Sequence, residues 1–210
     1  MFKKTLALMT AAIMMFALAA CGQTPAENTE TSASSGSGTS APADSEKTEP
    51  SDGKTLVVYF SWSGNTEEMA SYIAEQVGGD LLEIHPKTAY PTDYNECGNI
   101  AKVERDENAR PEIANLPASI DEYDTIMVGY PIWWHTAPMI IGTFLENYDL
   151  TGKEIYPFTQ SASMDTEQFD NSIEFVRQVS KGAEVHDGMF ARPSNTGAID
   201  AYLSENGLIK

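Results

Sequence analysis

The chain has 210 residues, with 13 basic against 31 acidic side chains and a formal charge of −18 at neutral pH. A chain this acidic repels nucleic acid and anionic lipid, which excludes functions resting on either. It suits a basic protein partner, or simply solubility.

Residues 1–20 carry Lys3 and Lys4, then an apolar stretch from Leu6 to Ala19, then small residues. This reads as an export signal, because the stretch is shorter than the roughly 20 residues a spanning helix needs. Leu18-Ala19-Ala20-Cys21 resembles the lipobox of bacterial lipoproteins. That resemblance implies cleavage before Cys21, a diacylglyceryl group on its thiol, and anchorage of the exported chain to the cell envelope. Two acyl chains give stable anchoring where one is marginal. The alternative is a plain secreted protein with an accidental cysteine. Cys97 is then the only thiol left, so no internal disulfide can form and its expected role is structural or incidental.

The stretch of residues 21–53 is mostly Ser, Thr, Ala, Glu, Pro and Gly, without an aromatic or large aliphatic side chain. It cannot bury a core, and its composition predicts a disordered tether with a root-mean-square span of about 30 Å. Residues 54–210 remain, enough for one globular domain. Setting aside Lys3 and Lys4, and the tether's six acids against Lys47, leaves this domain at −15.

The domain opens with the apolar run Leu56 to Phe60, then Ser61-Trp62-Ser63-Gly64-Asn65-Thr66, then Met69, Ala70, Ile73, Ala74 and Val77 at helical spacing. A strand that passes through a hydroxyl-rich loop into a helix leaves the first helical N–H groups unpaired at the positive end of the helix dipole. That is a place for a phosphate. Ser61, Ser63 and Thr66 can donate, and Gly64 lets backbone approach a ligand closely. The loop lacks the Gly-Lys-Ser/Thr ending of a Walker loop and the three glycines of a dinucleotide fingerprint. Read alone, it fits an ordinary turn capping a helix equally well.

Strand-like Leu81 to Ile84 follows, then a long, charged, partly helical segment from Tyr90-Pro91 to Arg110-Pro111 that is expected to cover the site edge or a partner surface. Thr125 to Tyr130 is the third strand, and a helix opens with Pro138 at its first position, with Ile141, Phe144, Leu145 and Tyr148 on one face. Ile155 to Thr159 is the fourth strand. A helix with Phe169, Ile173 and Val176 follows it, with Asp165 and Gln168 spaced as a capping box. A fifth strand within residues 183–190 and a helix within residues 198–205 complete the pattern. Strand and helix alternating five times predict a doubly wound α/β sandwich on a parallel sheet.

In such sheets ligands bind beyond the carboxyl ends of the strands, where the winding reverses. Three loops reach that edge: residues 61–66, 131–137 and 160–164. The second holds Ile132-Trp133-Trp134, and two indoles in one loop predict one packed inward and one facing a flat ligand ring.

Together, Ser61-x-Ser63-Gly64-x-Thr66, Gly129-Tyr130-Pro131-Ile132-Trp133-Trp134 and Pro157-Phe158-Thr159-Gln160-Ser161, each after its strand, resemble the flavodoxin-like family over residues 55–210. The resemblance implies strand order 2-1-3-4-5 and non-covalently bound FMN. Its phosphate would lie in residues 61–66, and its ring between residues 131–135 (Pro131, Ile132, Trp133, Trp134, His135) and 159–163 (Thr159, Gln160, Ser161, Ala162, Ser163). Members of the short group usually carry glycine after the Trp pair and a Ser-Gly-Gly run in the fourth-strand loop. Here His135 and Ala162-Ser163 stand in those places, and a side chain there restricts the backbone. His135 is a candidate proton donor or, alternatively, a solvated loop residue.

The three histidines, His85, His135 and His186, lie in different units without zinc-like spacing, so no metal is expected. His186 and Asp187 read as a surface pair. The implied function is electron transfer by a membrane-tethered, extracytoplasmic flavoprotein with a redox protein partner, its negative surface lowering the flavin potential. The alternatives are an FMN-dependent NAD(P)H:quinone-type reductase, which export disfavours, and a non-enzymatic flavin-binding lipoprotein.

Overall fold

A computed structural model describes residues 53–161 and 166–210. Cys21, the export signal, the tether up to Asp52, Ala162, Ser163 and the proposed cap Asp165 lie outside the described residues.

The elements run β1 (Lys54–Tyr59), α1 (Asn65–Val77), β2 (Asp80–Glu83), α2 (Tyr94–Asp106), β3 (Tyr123–Pro131), α3 (Met139–Glu146), β4 (Glu154–Gln160), α4 (Thr166–Val179), β5 (Glu184–Val185), β6 (Met189–Phe190) and α5 (Thr196–Glu205). The sheet order is β2-β1-β3-β4-β5, with β6 also on β4, and every pairing of these strands is parallel. This is the expected doubly wound sheet.

Strand periodicity divides the core in two, because alternate side chains point to opposite faces. Leu56, Val58, Phe60, Ile126, Val128 and Tyr130 pack with Ile141, Phe144 and Leu145 of α3 and Val176 of α4. Val57, Tyr59, Met127, Tyr156 and Phe158 pack with Met69, Ala70 and Ile73 of α1 and Ile199 and Leu203 of α5. Both faces are covered, so the central strands are near-continuous apolar runs.

Four details differ from expectation. The fifth strand is broken: Val185 pairs with Ile155 and Met189 with Phe158, so four steps on the edge strand oppose three on β4. One extra residue makes a bulge, which a spacing pattern does not reveal. Pro138 stands one residue before α3, in extended backbone at its N-cap. Pro131 and Gln160 belong to β3 and β4, paired in register, and not to the loops. Lastly, Asp187 pairs with Arg177 at 2.9 Å, while His186 stacks flat on Tyr156 at 4.1 Å.

Candidate functional site

The chain leaves β1 for β2 on one side and returns to β3 on the other, so the winding reverses between β1 and β3. Because β1, β3 and β4 are parallel neighbours, the loops after them open at one edge of the sheet.

In the first loop Gly64 adopts φ +84°, a left-handed conformation that L side chains resist. A Cβ there would meet only open space, so the glycine answers to backbone shape. Gly64 N–H donates to Ser61 Oγ (3.1 Å) and Asn65 Nδ2 to Ser63 Oγ (3.2 Å). Each serine accepts there, which leaves its own hydroxyl hydrogen to donate elsewhere. The first intrahelical bond of α1 runs from Glu68 N–H to Gly64 O (3.0 Å), and no side chain caps the helix. A loop serving only as a side-chain cap is therefore not what the structure shows. Thr66, the second helical residue, is 1% exposed, and its hydroxyl oxygen has no hydrogen-bond partner among the described residues. A buried hydroxyl left unpaired is costly, and it sits beside unpaired helical N–H groups. Uncapped donors and an orphaned hydroxyl at one helix start fit a phosphate ester. Glu67 and Glu68 occupy the same first turn and residues 61–66 hold no Lys or Arg, so within this loop hydrogen bonds and the helix dipole would have to hold it.

The second loop is a tight hairpin. Trp133 N–H donates to Thr136 O (2.9 Å) and Thr136 N–H to Trp133 O (3.1 Å), with Trp134 and His135 between them at φ +48° and +67°. Two central residues with positive φ define a type I′ turn, whose usual occupants are Asn and Gly. One indole packs inward and the other is partly exposed. Trp133 packs edge-on against Phe60 (5.3 Å) and Tyr90 (5.2 Å), at the margin of the core. Trp134 is 40% exposed, and its Nε1–H donates to Gly98 O (2.7 Å). His135 is exposed. Ile132 is buried, its N–H bonded to Gln160 O (3.1 Å). Beside it, Thr159 is fully buried and its hydroxyl donates to Tyr130 O (2.5 Å), so that hydroxyl is already committed within the sheet. Ser161 stands at the end of the described stretch, half-buried.

The segment between β2 and β3 ties the first two loops together. Trp62 Nε1–H donates to Pro91 O (3.0 Å), and its ring lies 6.3 Å from Tyr94. Asp93 caps α2, accepting from the N–H groups of Asn95 and Glu96. Asp93 and Glu96 have the spacing of a capping box, a signal in the sequence that would have located this helix. From α2, Gly98 and Arg105 reach the second loop. Cys97 is buried, and burial, helped by Glu104, pushes its thiol up to about 11, which suits the structural role expected of it.

Half-buried Glu104 accepts from Tyr90 Oη at 2.7 Å. Burial raises its carboxyl above the ordinary 4.5, and the Tyr90 hydrogen bond only partly opposes this. A raised folded-state pKa means that the carboxylate costs stability above that pKa, a cost that vanishes as the pH falls below the unfolded value. Glu104→Gln should therefore raise the melting temperature at pH 7 and leave it unchanged near pH 4. A variant equally or more destabilised at pH 7 would show that the charged carboxylate is needed there.

The flavodoxin family profile matches residues 54–202. The chain belongs to the flavodoxin family. Among solved structures, this flavodoxin-family domain is similar to a protein assigned as a flavoprotein from Bacteroides eggerthii, with 34% identity over 72% of this chain and 96% of that chain and a TM-score of 0.65. A second, from Bacteroides uniformis, gives 33% identity over 72% and 98%, with a TM-score of 0.66. A flavoprotein from Lactobacillus acidophilus, solved in complex with FMN, gives 26% identity over 69% and 97%, with a TM-score of 0.58. No curated protein matches the sequence at a significant level.

Proposed function

We propose that this flavodoxin-family protein binds FMN non-covalently and works in extracytoplasmic electron transfer, tethered to the cell envelope through a lipid on Cys21. The observation that carries the cofactor is Thr66: a buried, unpartnered hydroxyl at the uncapped start of α1, on the edge where the winding reverses. The family and the FMN-bound relative from Lactobacillus acidophilus support the same reading. Ser61, Ser63, Thr66 and the first N–H groups of α1 would hold the phosphate, and Trp134 would border the ring. FMN supplies one- and two-electron redox chemistry when bound, and the protein supplies binding and electrostatics. The acidic domain disfavours added negative charge on a reduced flavin and favours a basic redox partner. Envelope tethering rests on the sequence of residues 1–53.

Titration of the purified protein with FMN, followed by visible absorbance, tests this reading. Binding at micromolar concentrations or below is expected, without sustained oxidation of NAD(P)H. No binding overturns the cofactor; bound flavin with steady NAD(P)H turnover overturns the carrier in favour of the reductase. Labelling with radioactive fatty acid in a bacterial host should mark the wild type and not Cys21→Ser.

A further inference from the structure

We propose that Arg105 is a positioning residue: from α2 it locks the Trp134-His135 turn in its doubly left-handed shape and so presents the site edge to the flavin ring. This rests on the FMN reading above.

The turn asks for φ above zero at two successive positions and receives two bulky side chains. Neither residue type favours that backbone. Such strain persists only where the surroundings over-determine it. Here they do so through one helix. Arg105 Nη1 donates to Trp134 O at 3.1 Å, and this carbonyl belongs to the central peptide of the turn. Rotating that peptide, the simplest way for a two-residue turn to change type, would break the bond. Gly98 O holds the indole N–H at 2.7 Å, so backbone and side chain of Trp134 are both fixed to α2. The Arg105 guanidinium also lies 5.7 Å from the indole centroid, within reach of the ring's negative face.

Arg105 is itself held. Its Nε donates to Asp106 Oδ1 at 2.9 Å, and Asp106 takes a second cation, Lys102, at 2.6 Å. The fork is thus divided, two nitrogens orienting it on α2 and the third reaching across to the turn. A surface arginine serving only as an ion-pair partner would need no such reach. Lysine cannot reproduce the division, because an ammonium is a point charge without a planar fork.

The test compares Arg105→Met, Arg105→Lys, His135→Gly and the double variant Arg105→Met/His135→Gly in the full-length protein. Affinity is measured for FMN and for riboflavin, which lacks the phosphate and therefore reports only the ring edge. Arg105→Met should weaken both ligands about tenfold, the loss typical of one hydrogen bond from a charged donor. Arg105→Lys should do the same. His135→Gly should restore binding in the double variant, because glycine holds the turn unaided. In the flavin-free protein, the emission of Trp134, isolated by subtracting Trp134→Phe, should shift red in Arg105→Met and return in the double variant.

Unchanged affinity and unchanged emission in Arg105→Met would overturn the positioning role. Rescue by lysine but not by His135→Gly would overturn it as well, leaving Arg105 a purely electrostatic contributor. Failure of the wild type to bind either flavin overturns the FMN reading instead, and the emission series then decides the clamp by itself.

Discussion

Replacing Thr66 with valine should lower FMN affinity by roughly ten- to a hundredfold while raising the melting temperature of the flavin-free protein. The opposite signs come from one atom. Thr66 Oγ1 is buried without a partner, and leaving such a group unsatisfied costs about 1–3 kcal/mol, which an isosteric methyl avoids. The same hydroxyl becomes a donor once a phosphate arrives, and a hydrogen bond to a charged group contributes about 1.5–3 kcal/mol. Riboflavin affinity should be unaffected. Isothermal titration with both ligands, set beside thermal melts without ligand, measures the pair of effects. Equal loss for riboflavin and FMN would show that Thr66 serves the fold and not a phosphate.

Gly129→Ala should be the most destabilising single-methyl change in the sheet, at about 3 kcal/mol. A Cβ on Gly129 would lie 2.2 Å from Phe158 Cζ and 2.4 Å from Cε2, and Phe158 is fully buried. Neither β3 nor β4 can move aside, since the two are locked in register from Thr125 and Glu154 to Pro131 and Gln160. Overpacking of this kind costs about 1–3 kcal/mol, with the upper end expected where backbone on both sides is fixed. Urea denaturation should show a lower midpoint with an unchanged slope. Phe158→Leu should recover part of the loss in the Gly129→Ala background, because the two residues share one volume. Strict additivity of the two substitutions would place the conflict elsewhere.

Much of this was legible in the sequence, for reasons that can be named. The spacing of Met69, Ala70, Ile73 and Ala74 gives α1 its buried stripe, and Leu56 to Phe60 shows the apolar run of a strand covered on both faces. The inward packing of one of the two indoles could also be foreseen, since one loop has few ways to seat two. What escaped were features without a periodic signature. The bulge between Val185 and Met189 is one residue of mismatch against a partner strand distant in sequence. The positive φ of Trp134 and His135 contradicts the usual preference of both residue types, so no local reading assigns it. Likewise, the contacts of Pro91, Gly98 and Arg105 with the two loops span 29, 36 and 29 residues. Thr66 was visible as a hydroxyl in a loop. That it is sealed in and unpaired is a property of the packing around it.

All the paired strands point the same way, and the chain enters the sheet at Lys54, the N-terminal end of β1. The loops after β1, β3 and β4 lie at the opposite end of those strands. A tether joined ahead of Lys54 would therefore attach at the end of the strands opposite the phosphate and indole loops. In the proposed anchored form, the point of attachment leaves that edge unobstructed for a redox partner.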